Sequence, residues 1–381
     1  MSYNPPIKLS HNAAIMTVFF FQAFASGGLF TRIPDIQRAL DLSESQLGVT
    51  LMGQPIGALC VFLIASRVVE AIGPRVILIV GLVLLATWNV LLGLAPTQWV
   101  AMGLFALFGA TFALANVAMN VEADRVEAAT GGHIMNRCHG LWSAGFLATS
   151  LIGAGARGWG WSPALHFGLL WPVVLVAVLL AIVPMEASPE RAHGGAKSRK
   201  ITLPTGATLL LVGFGLAAVI IENGTRAWAV IFMRDTFSAP DWVDTMALPA
   251  FVAAMFLTRM VGDGVVGRLG RMNAAYLLLS VALAGAFVVV FAQWLPMAMI
   301  GFAMLGIGVS IIFPMTMSAA AQIGDRPASE NVAALTLGTS VIMLAAPGIM
   351  GFVADGFGVR VSFALFVPLL LLSLSLARKI G

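Results

Sequence analysis

Twelve runs of apolar residues, each about the length of a membrane-spanning helix, follow one another along this 381-residue chain. A helix needs about 20 apolar residues to cross the hydrocarbon core of a bilayer. Lipid offers the backbone no hydrogen-bond partner, so a spanning segment must be a helix or part of a closed barrel. Barrel strands alternate apolar and polar residues, and these runs do not. We predict helical spans at residues 13–31, 46–66, 76–95, 98–120, 139–156, 163–184, 206–232, 243–263, 272–292, 296–318, 332–353 and 360–377.

The composition excludes a soluble protein. Hydrophobic residues make up 59% of the chain and charged residues 10%, whereas soluble domains carry about 25% charged residues. So few charges cannot cover a water-exposed surface. We therefore predict an all-α membrane protein whose apolar side chains face a lipid bilayer.

Several landmarks of the first half recur about 197 residues later, which indicates a tandem duplication. The matched glycines are Gly73 and Gly270, Gly109 and Gly306, and Gly158 and Gly356. We predict twelve transmembrane helices in two pseudo-symmetric six-helix bundles, residues 1–185 and 206–381, joined by a cytosolic linker at 186–205. Repeats of this kind are typical of secondary transporters, which move one half against the other around a central site.

The lysines and arginines fall mainly on one predicted side of the membrane. The net charge is +4 and the isoelectric point is near 9.5, but in a membrane protein the position of the basic residues carries the information. The turns near Arg75 and Arg271, the linker near Lys200 and both termini are predicted to be cytosolic. The basic charge therefore reflects topology, and we expect no nucleic-acid partner.

Motifs for enzyme or cofactor chemistry are missing from the sequence. The segment 194–198 lacks the first glycine of an ATP-binding phosphate loop. Cys60 and Cys138 lie on different predicted elements and give no disulfide or metal signal. We expect no enzyme activity, no metal and no cofactor, and transport that is driven by a gradient.

The turn at residues 66–75 resembles the signature loop G-x-x-x-D-R-x-G-R-R of the major facilitator superfamily, with Glu70 at the acidic position. A second copy retains Arg268 and Arg271. The resemblance covers nearly the whole chain and implies a monomeric, multi-pass transporter in the plasma membrane. We expect that membrane to be a bacterial inner membrane. Such a loop pins helix ends together through charge and helix-dipole contacts, so Glu70, Arg75, Arg268 and Arg271 are candidate gating residues.

Residues 116–120 and 136–145 are similar to the fourth and fifth spans of the fucose permease branch of that superfamily and its bacterial relatives. Residues 32–36, after the first span, also resemble that branch. Fucose permease carries an acidic residue in span four, where this chain has only Ala113, Leu114 and Ala115. The resemblance implies a sugar-like solute but does not carry sugar specificity over.

Charged residues inside a span are costly and are functional candidates by default. Glu222 and Arg226 in span seven are spaced i, i+4, so they share one helix face and can pair. The pair could simply neutralise itself, or Glu222 could bind a proton and substrate while Arg226 tunes its proton affinity. We favour the coupling role.

Other charged residues have weaker claims. Glu122 lies at the cytosolic end of span four, where headgroup solvation is expected, although His139 could exchange protons with it. Arg259 and Asp263 form a second i, i+4 pair, near the cytosolic end of span eight, and we expect a gating or structural role.

Polar amides and interior aromatic residues could bind a sugar-like solute by hydrogen bonds and stacking. Aromatic residues at helical spacing are more often packing residues than binding residues. The candidates for substrate binding are Gln22, Gln54, Asn89, Asn116, Asn120, Trp142 and Trp228.

We expect a proton-coupled uptake transporter for a small polar, sugar-like solute. The alternative is a proton-driven exporter of drugs or metabolites. Antiporters of the superfamily usually carry a Gly-Pro-rich motif in span five, and span five of this chain has glycines but no proline, which favours uptake.

The predicted topology can be tested by labelling Gly195→Cys with an impermeant thiol reagent in a variant in which Cys60 and Cys138 have been replaced. Because the linker is predicted to be cytosolic, we expect labelling only after the membrane is opened. Labelling from outside intact cells would contradict the topology.

Overall fold

The computed structural model describes residues 10–62, 64–130, 134–185 and 203–380. Its α-helices are α1 (His11–Thr31), α2 (Ile33–Ala39), α3 (Glu44–Leu51), α4 (Gly53–Phe62), α5 (Ala65–Ile72), α6 (Pro74–Leu92), α7 (Gln98–Thr130), α8 (Met135–Gly158), α9 (Pro163–Ala177), α10 (Gly206–Thr236), α11 (Asp241–Thr245), α12 (Ala247–Leu269), α13 (Arg271–Val290), α14 (Leu295–Val309), α15 (Ile312–Ala321), α16 (Ala328–Phe357), α17 (Val359–Ala364) and α18 (Phe366–Leu376). The described residues contain no strand. The predicted linker at 186–205 lies outside the described residues except for its last three positions.

Eleven helical segments among the described residues are long and apolar enough to cross a membrane. The helix at the predicted fifth span, α8, is not one of them. It is long enough, with 24 residues, but Arg137, His139 and Arg157 and several small residues lower its hydropathy. The apolar faces of the other segments carry exposed side chains such as Leu257, Met260 and Val261 on α12.

Four of the spans contain an interruption that lies four residues before a proline. Proline has no N–H, and its ring clashes with the carbonyl four residues earlier, so the helix breaks there. The interrupted positions and their prolines are Leu51 and Pro55, Thr245 and Pro249, Ser310 and Pro314, and Ala364 and Pro368. The apolar pattern alone predicted continuous spans, because hydropathy does not register the missing backbone donor.

Two compact units make up the chain. Unit 1 contains Met1–Asp41 and Thr50–Gly194, and unit 2 contains Leu42–Val49 and Gly195–Gly381. In unit 1, α1 packs along α8, and α4 and α6 pack along α7. In unit 2, α12 and α13 pack along α14, and α10 contacts α16 and α18.

Corresponding glycines of the two units have the same conformation. Gly73 and Gly270 separate consecutive spans with positive φ angles of 87° and 76°. A side chain at such a φ is strained, and glycine is not. The chain can therefore turn sharply between α5 and α6, and again between α12 and α13.

A second repeated feature is a glycine packed against a neighbouring helix backbone. A Cβ atom on Gly109 of α7 would overlap the carbonyl oxygen of Gln54 on α4. A Cβ atom on Gly306 of α14 would overlap the carbonyl oxygen of Phe251 on α12. Small residues at helix interfaces let backbones approach closely in membranes, so each unit uses the same close contact.

We expect Gly109→Ala and Gly306→Ala each to destabilise the protein by about 1–3 kcal/mol, because the added methyl group overpacks a backbone contact. Gly103→Ala is the matched control on α7, since nothing lies within 4 Å of a Cβ there. Thermal unfolding in detergent measures the difference. Equal midpoints for Gly109→Ala and Gly103→Ala would show that the contact is not tight.

Candidate transport site

The structure brings Glu222 and Arg226 together on α10. The guanidinium Nη2 of Arg226 donates to Oε1 of Glu222, as the i, i+4 spacing predicts. One helix therefore supplies both partners, and the pair needs no tertiary contact to form.

A third charged residue, Arg259 of α12, joins this pair. Its Nη2 lies 3.4 Å from Oε2 of Glu222, so Glu222 is shared by two arginines from two helices. The predicted pair of Arg259 and Asp263 is therefore wrong: Asp263 is exposed, and no described residue forms an ion pair with it. The helical spacing permits that pair, but the packing of α12 places Arg259 against α10 instead.

The backbone at Ser310 fixes the orientation of Arg259. The Nε of Arg259 donates to the carbonyl oxygen of Ser310 at 3.0 Å. That carbonyl lacks its usual helical partner, because Pro314, four residues later, has no N–H. The break between α14 and α15 thus supplies the acceptor that holds the arginine. Sequence reasoning missed Ser310, although the proline at this spacing was a visible signal.

We call Glu222, Arg226 and Arg259 the Glu222 cluster. Arg226 is the most enclosed member, with 11% of its side chain exposed, while Glu222 is 18% and Arg259 30% exposed. The cluster contains two positive charges and one negative charge. It can hold a proton on a carboxylate and present a guanidinium to an anion.

Several of the predicted substrate-binding residues of unit 1 form hydrogen bonds with one another. The indole Nε1 of Trp142 donates to Oε1 of Gln22 at 2.6 Å, which ties α8 to α1. Asn120 donates to the carbonyl and the side-chain oxygen of Asn116, at 2.8 and 3.1 Å, on α7. Trp142 and both asparagines are half-buried, so part of each is accessible.

Three other substrate-binding candidates have different positions. Asn89 is buried and donates to the carbonyl of Ala25 at 2.6 Å, a contact between α6 and α1. Gln54 is half-buried on α4, where its carbonyl meets Gly109. Trp228 is completely buried in the core of unit 2, so it is not accessible to a solute here, contrary to expectation. Its place on the inner face of α10 depends on packing that periodicity alone does not reveal.

Glu122 is fully buried on α7, which corrects the expectation that headgroups solvate it. The helix continues to Thr130, past the predicted end at 120, so Glu122 lies inside the element rather than at its end. His139 is exposed near the start of α8, and its ring packs edge-on against Phe19 at 5.2 Å.

Two of the four candidate loop residues tie helix ends within their own unit. Arg75 donates to the carbonyl of Val183, beyond the end of α9, and Arg271 donates to Oε1 of Gln322 at 2.8 Å. Carbonyls at a helix C-terminus attract cations. Glu70 and Arg268 are exposed at the ends of α5 and α12.

Sequence reasoning missed a buried ionic cluster in unit 1. Asp35 of α2 lies 2.8 Å from Nε of Arg32 and 3.2 Å from Nε of Arg157 on α8, and the two arginine side chains are only 2% and 1% exposed. Arg32 also donates to the carbonyl of Trp161. The i, i+3 spacing of Arg32 and Asp35 was a signal for half of this cluster, but Arg157 is distant in sequence.

Helical segments long and apolar enough to cross a membrane, with charged residues inside them, are typical of a polytopic membrane transporter. The sequence matches the Major Facilitator Superfamily over residues 15–334, and the chain belongs to that family. It is a multi-pass membrane protein and a transporter rather than an enzyme.

Known proteins similar to this chain agree with that assignment. An uncharacterized MFS-type transporter of Yersinia pestis is 28% identical over 98% of this chain and 96% of its own length. Among solved structures, the nucleoside transporter NupG matches with a TM-score of 0.73 at 10% identity, over 98% of both chains. The E. coli fucose:proton symporter FucP matches with a TM-score of 0.64 at 16% identity, over 97% of this chain and 98% of its own. At these identities the two structures show a shared fold.

We expect Asp35→Asn to destabilise the protein by about 3–5 kcal/mol, because it leaves two buried guanidinium groups without their shared counter-charge. Asp41→Asn is the matched control: Asp41 is exposed, with a φ of 51° that asparagine also tolerates. Thermal unfolding in detergent should separate the two variants, and equal midpoints would mean that the cluster contributes nothing to stability.

Proposed function

We propose that this protein takes up a small polar, sugar-like solute by alternating access, coupled to protons. The observation that carries the proposal is a carboxylate, Glu222, inside a span and shared by two arginines from two helices. A charge at membrane depth is costly and is a candidate for an ion pathway. A secondary transporter needs a group of this kind to bind and release its coupling ion.

Glu222 is the proposed proton site. Arg226, one turn away, and Arg259, on a neighbouring helix, stabilise the ionised carboxylate. A movement of either arginine changes the interaction between the carboxylate and its proton, and a solute that binds one arginine can cause that movement. Such a link between solute and proton is the coupling that a symporter requires.

In unit 1 the accessible polar residues Trp142, Asn116 and Asn120 are the proposed contacts for solute hydroxyl groups. The proposed gating residues are Arg75 and Arg271, which hold helix ends together within each unit.

We further propose twelve spans, with α8 as the twelfth. A Cβ atom on Gly145 of α8 would overlap the carbonyl of Phe20 on α1, and one on Gly27 of α1 would lie 2.8 Å from the Thr149 side chain of α8. Because α8 follows α1 so closely along its length, a membrane that contains α1 also contains α8. The two six-helix bundles are then residues 1–185 and 206–381, with the linker between them.

Oligomeric state, membrane location and topology complete the proposal. The proposed location is the inner membrane, because the relatives are bacterial. The protein is proposed to act as a monomer, with both termini and the linker in the cytosol. The name of the fucose:proton symporter describes proton coupling in that protein. Here that precedent supports a proton-coupled mechanism on the same fold.

In proteoliposomes with a pH-sensitive dye inside, a panel of sugars, sugar acids, polyols and nucleosides should include a solute that carries protons inward. We expect Glu222→Gln to abolish this proton movement and solute accumulation while counterflow remains measurable, because an amide cannot carry the proton. Arg226→Ala should impair both activities, since it removes the nearer partner of Glu222.

Asp355→Asn is the control, because it removes an exposed carboxylate from α16 of the same unit. It should transport as the wild type does. Solute accumulation by Glu222→Gln with normal pH dependence would show that the pair is structural and that the coupling proposal is wrong.

A further inference from the structure

The Glu222 cluster has one more positive charge than its single carboxylate can balance. Arg226 makes the closer contact with Glu222, and Arg259 lies 3.4 Å away. Charge-assisted N–H···O bonds are about 2.7–2.9 Å long, so the contact between Arg259 and Glu222 is weak. Of the three groups, Arg259 is the one that an incoming anion can most easily engage.

The orientation of Arg259 leaves part of its guanidinium available. Its Nε is held by the Ser310 carbonyl at 3.0 Å, its Nη2 makes only the long contact with Glu222, and its Nη1 makes no hydrogen bond to the described residues. The side chain is 30% exposed, more than the other two members. A guanidinium held at one nitrogen presents its other two in the planar arrangement that matches a carboxylate.

We infer that the solute carries a carboxylate, which binds Arg259 in a bidentate manner. A single negative charge balances the cluster, whereas a neutral sugar leaves its excess charge in place. This inference rests on the proposed function, since it names the class of solute: a sugar-like acid rather than a neutral sugar. Arg259 is then the specificity-determining residue of the site.

Binding at Arg259 connects the solute to the proposed proton site. A carboxylate that takes Nη1 and Nη2 of Arg259 replaces the weak contact with Glu222, which keeps Arg226 as its partner. The Ser310 carbonyl keeps Nε in place during this exchange, so the arginine can change partners without leaving the site.

Thermal unfolding of the purified protein in detergent tests the inference, because a ligand that binds the folded state raises the midpoint. The probes are two pairs that differ in the acid group: D-gluconate with D-sorbitol, and D-galacturonate with D-galactose, at matched ionic strength. We expect at least one acid to raise the midpoint and its neutral partner to leave it unchanged. Equal shifts within both pairs, or no shift with either acid, would overturn the inference.

Variants locate the effect on Arg259. Loss of a charge-assisted contact should weaken apparent binding of the acid by about tenfold or more in Arg259→Gln, and Arg259→Lys should retain part of it. The control is Arg378→Gln, which removes an exposed positive charge of unit 2 outside the cluster and should bind as the wild type does. An acid-dependent shift that persists unchanged in Arg259→Gln would also overturn the inference.

Binding in detergent requires neither transport nor a proton gradient, so the two proposals fail separately. Acid-specific binding that is lost in Arg259→Gln, together with normal accumulation by Glu222→Gln, would retain the anion site and reject proton coupling. Proton-coupled uptake of a neutral sugar would retain the coupling and reject the anion site.

Discussion

The cost of placing charge in a membrane is the constraint on which the function of this structure depends. Glu222, Arg226 and Arg259 occur on helices that are mostly apolar, and each is held by another charge or by a backbone carbonyl. Pairing lowers the cost of burial but does not remove it. A charged cluster that carries this cost is a candidate site, and its two positive charges against one negative charge are the basis for inferring an acidic solute.

The interrupted helices also help to hold charged side chains within the spans. In lipid, a carbonyl freed by a proline needs another donor, and at Ser310 the donor is the guanidinium of Arg259. The interruption in the tenth predicted span therefore both exposes an acceptor and orients a charged side chain. The break between α14 and α15 therefore fixes the position of Arg259 on α12.

Close backbone contacts hold the helices that carry these groups. Gly109 against Gln54 in unit 1 and Gly306 against Phe251 in unit 2 are the same contact at corresponding positions. Lipid supplies little hydrophobic driving force between helices, so close packing of small residues takes its place. Both units have this packing, but their charged clusters differ: in unit 1, Asp35 lies between two buried arginines, and unit 2 has the more accessible Glu222 cluster.

The sequence by itself determined the features that depend only on residues close together in the chain. Hydropathy predicted eleven helical segments of the described residues that are long and apolar enough to cross a membrane, because it depends only on consecutive residues. The i, i+4 spacing predicted the contact between Glu222 and Arg226, because the geometry of a single helix fixes it. Only the tertiary structure decided that Arg259 faces Glu222 rather than Asp263, that Arg157 completes the cluster at Asp35, and that Glu122 and Trp228 are fully buried. These outcomes depend on how each helix is rotated about its axis when it packs, and helices that are apolar on nearly every face give little indication of that rotation in their sequence.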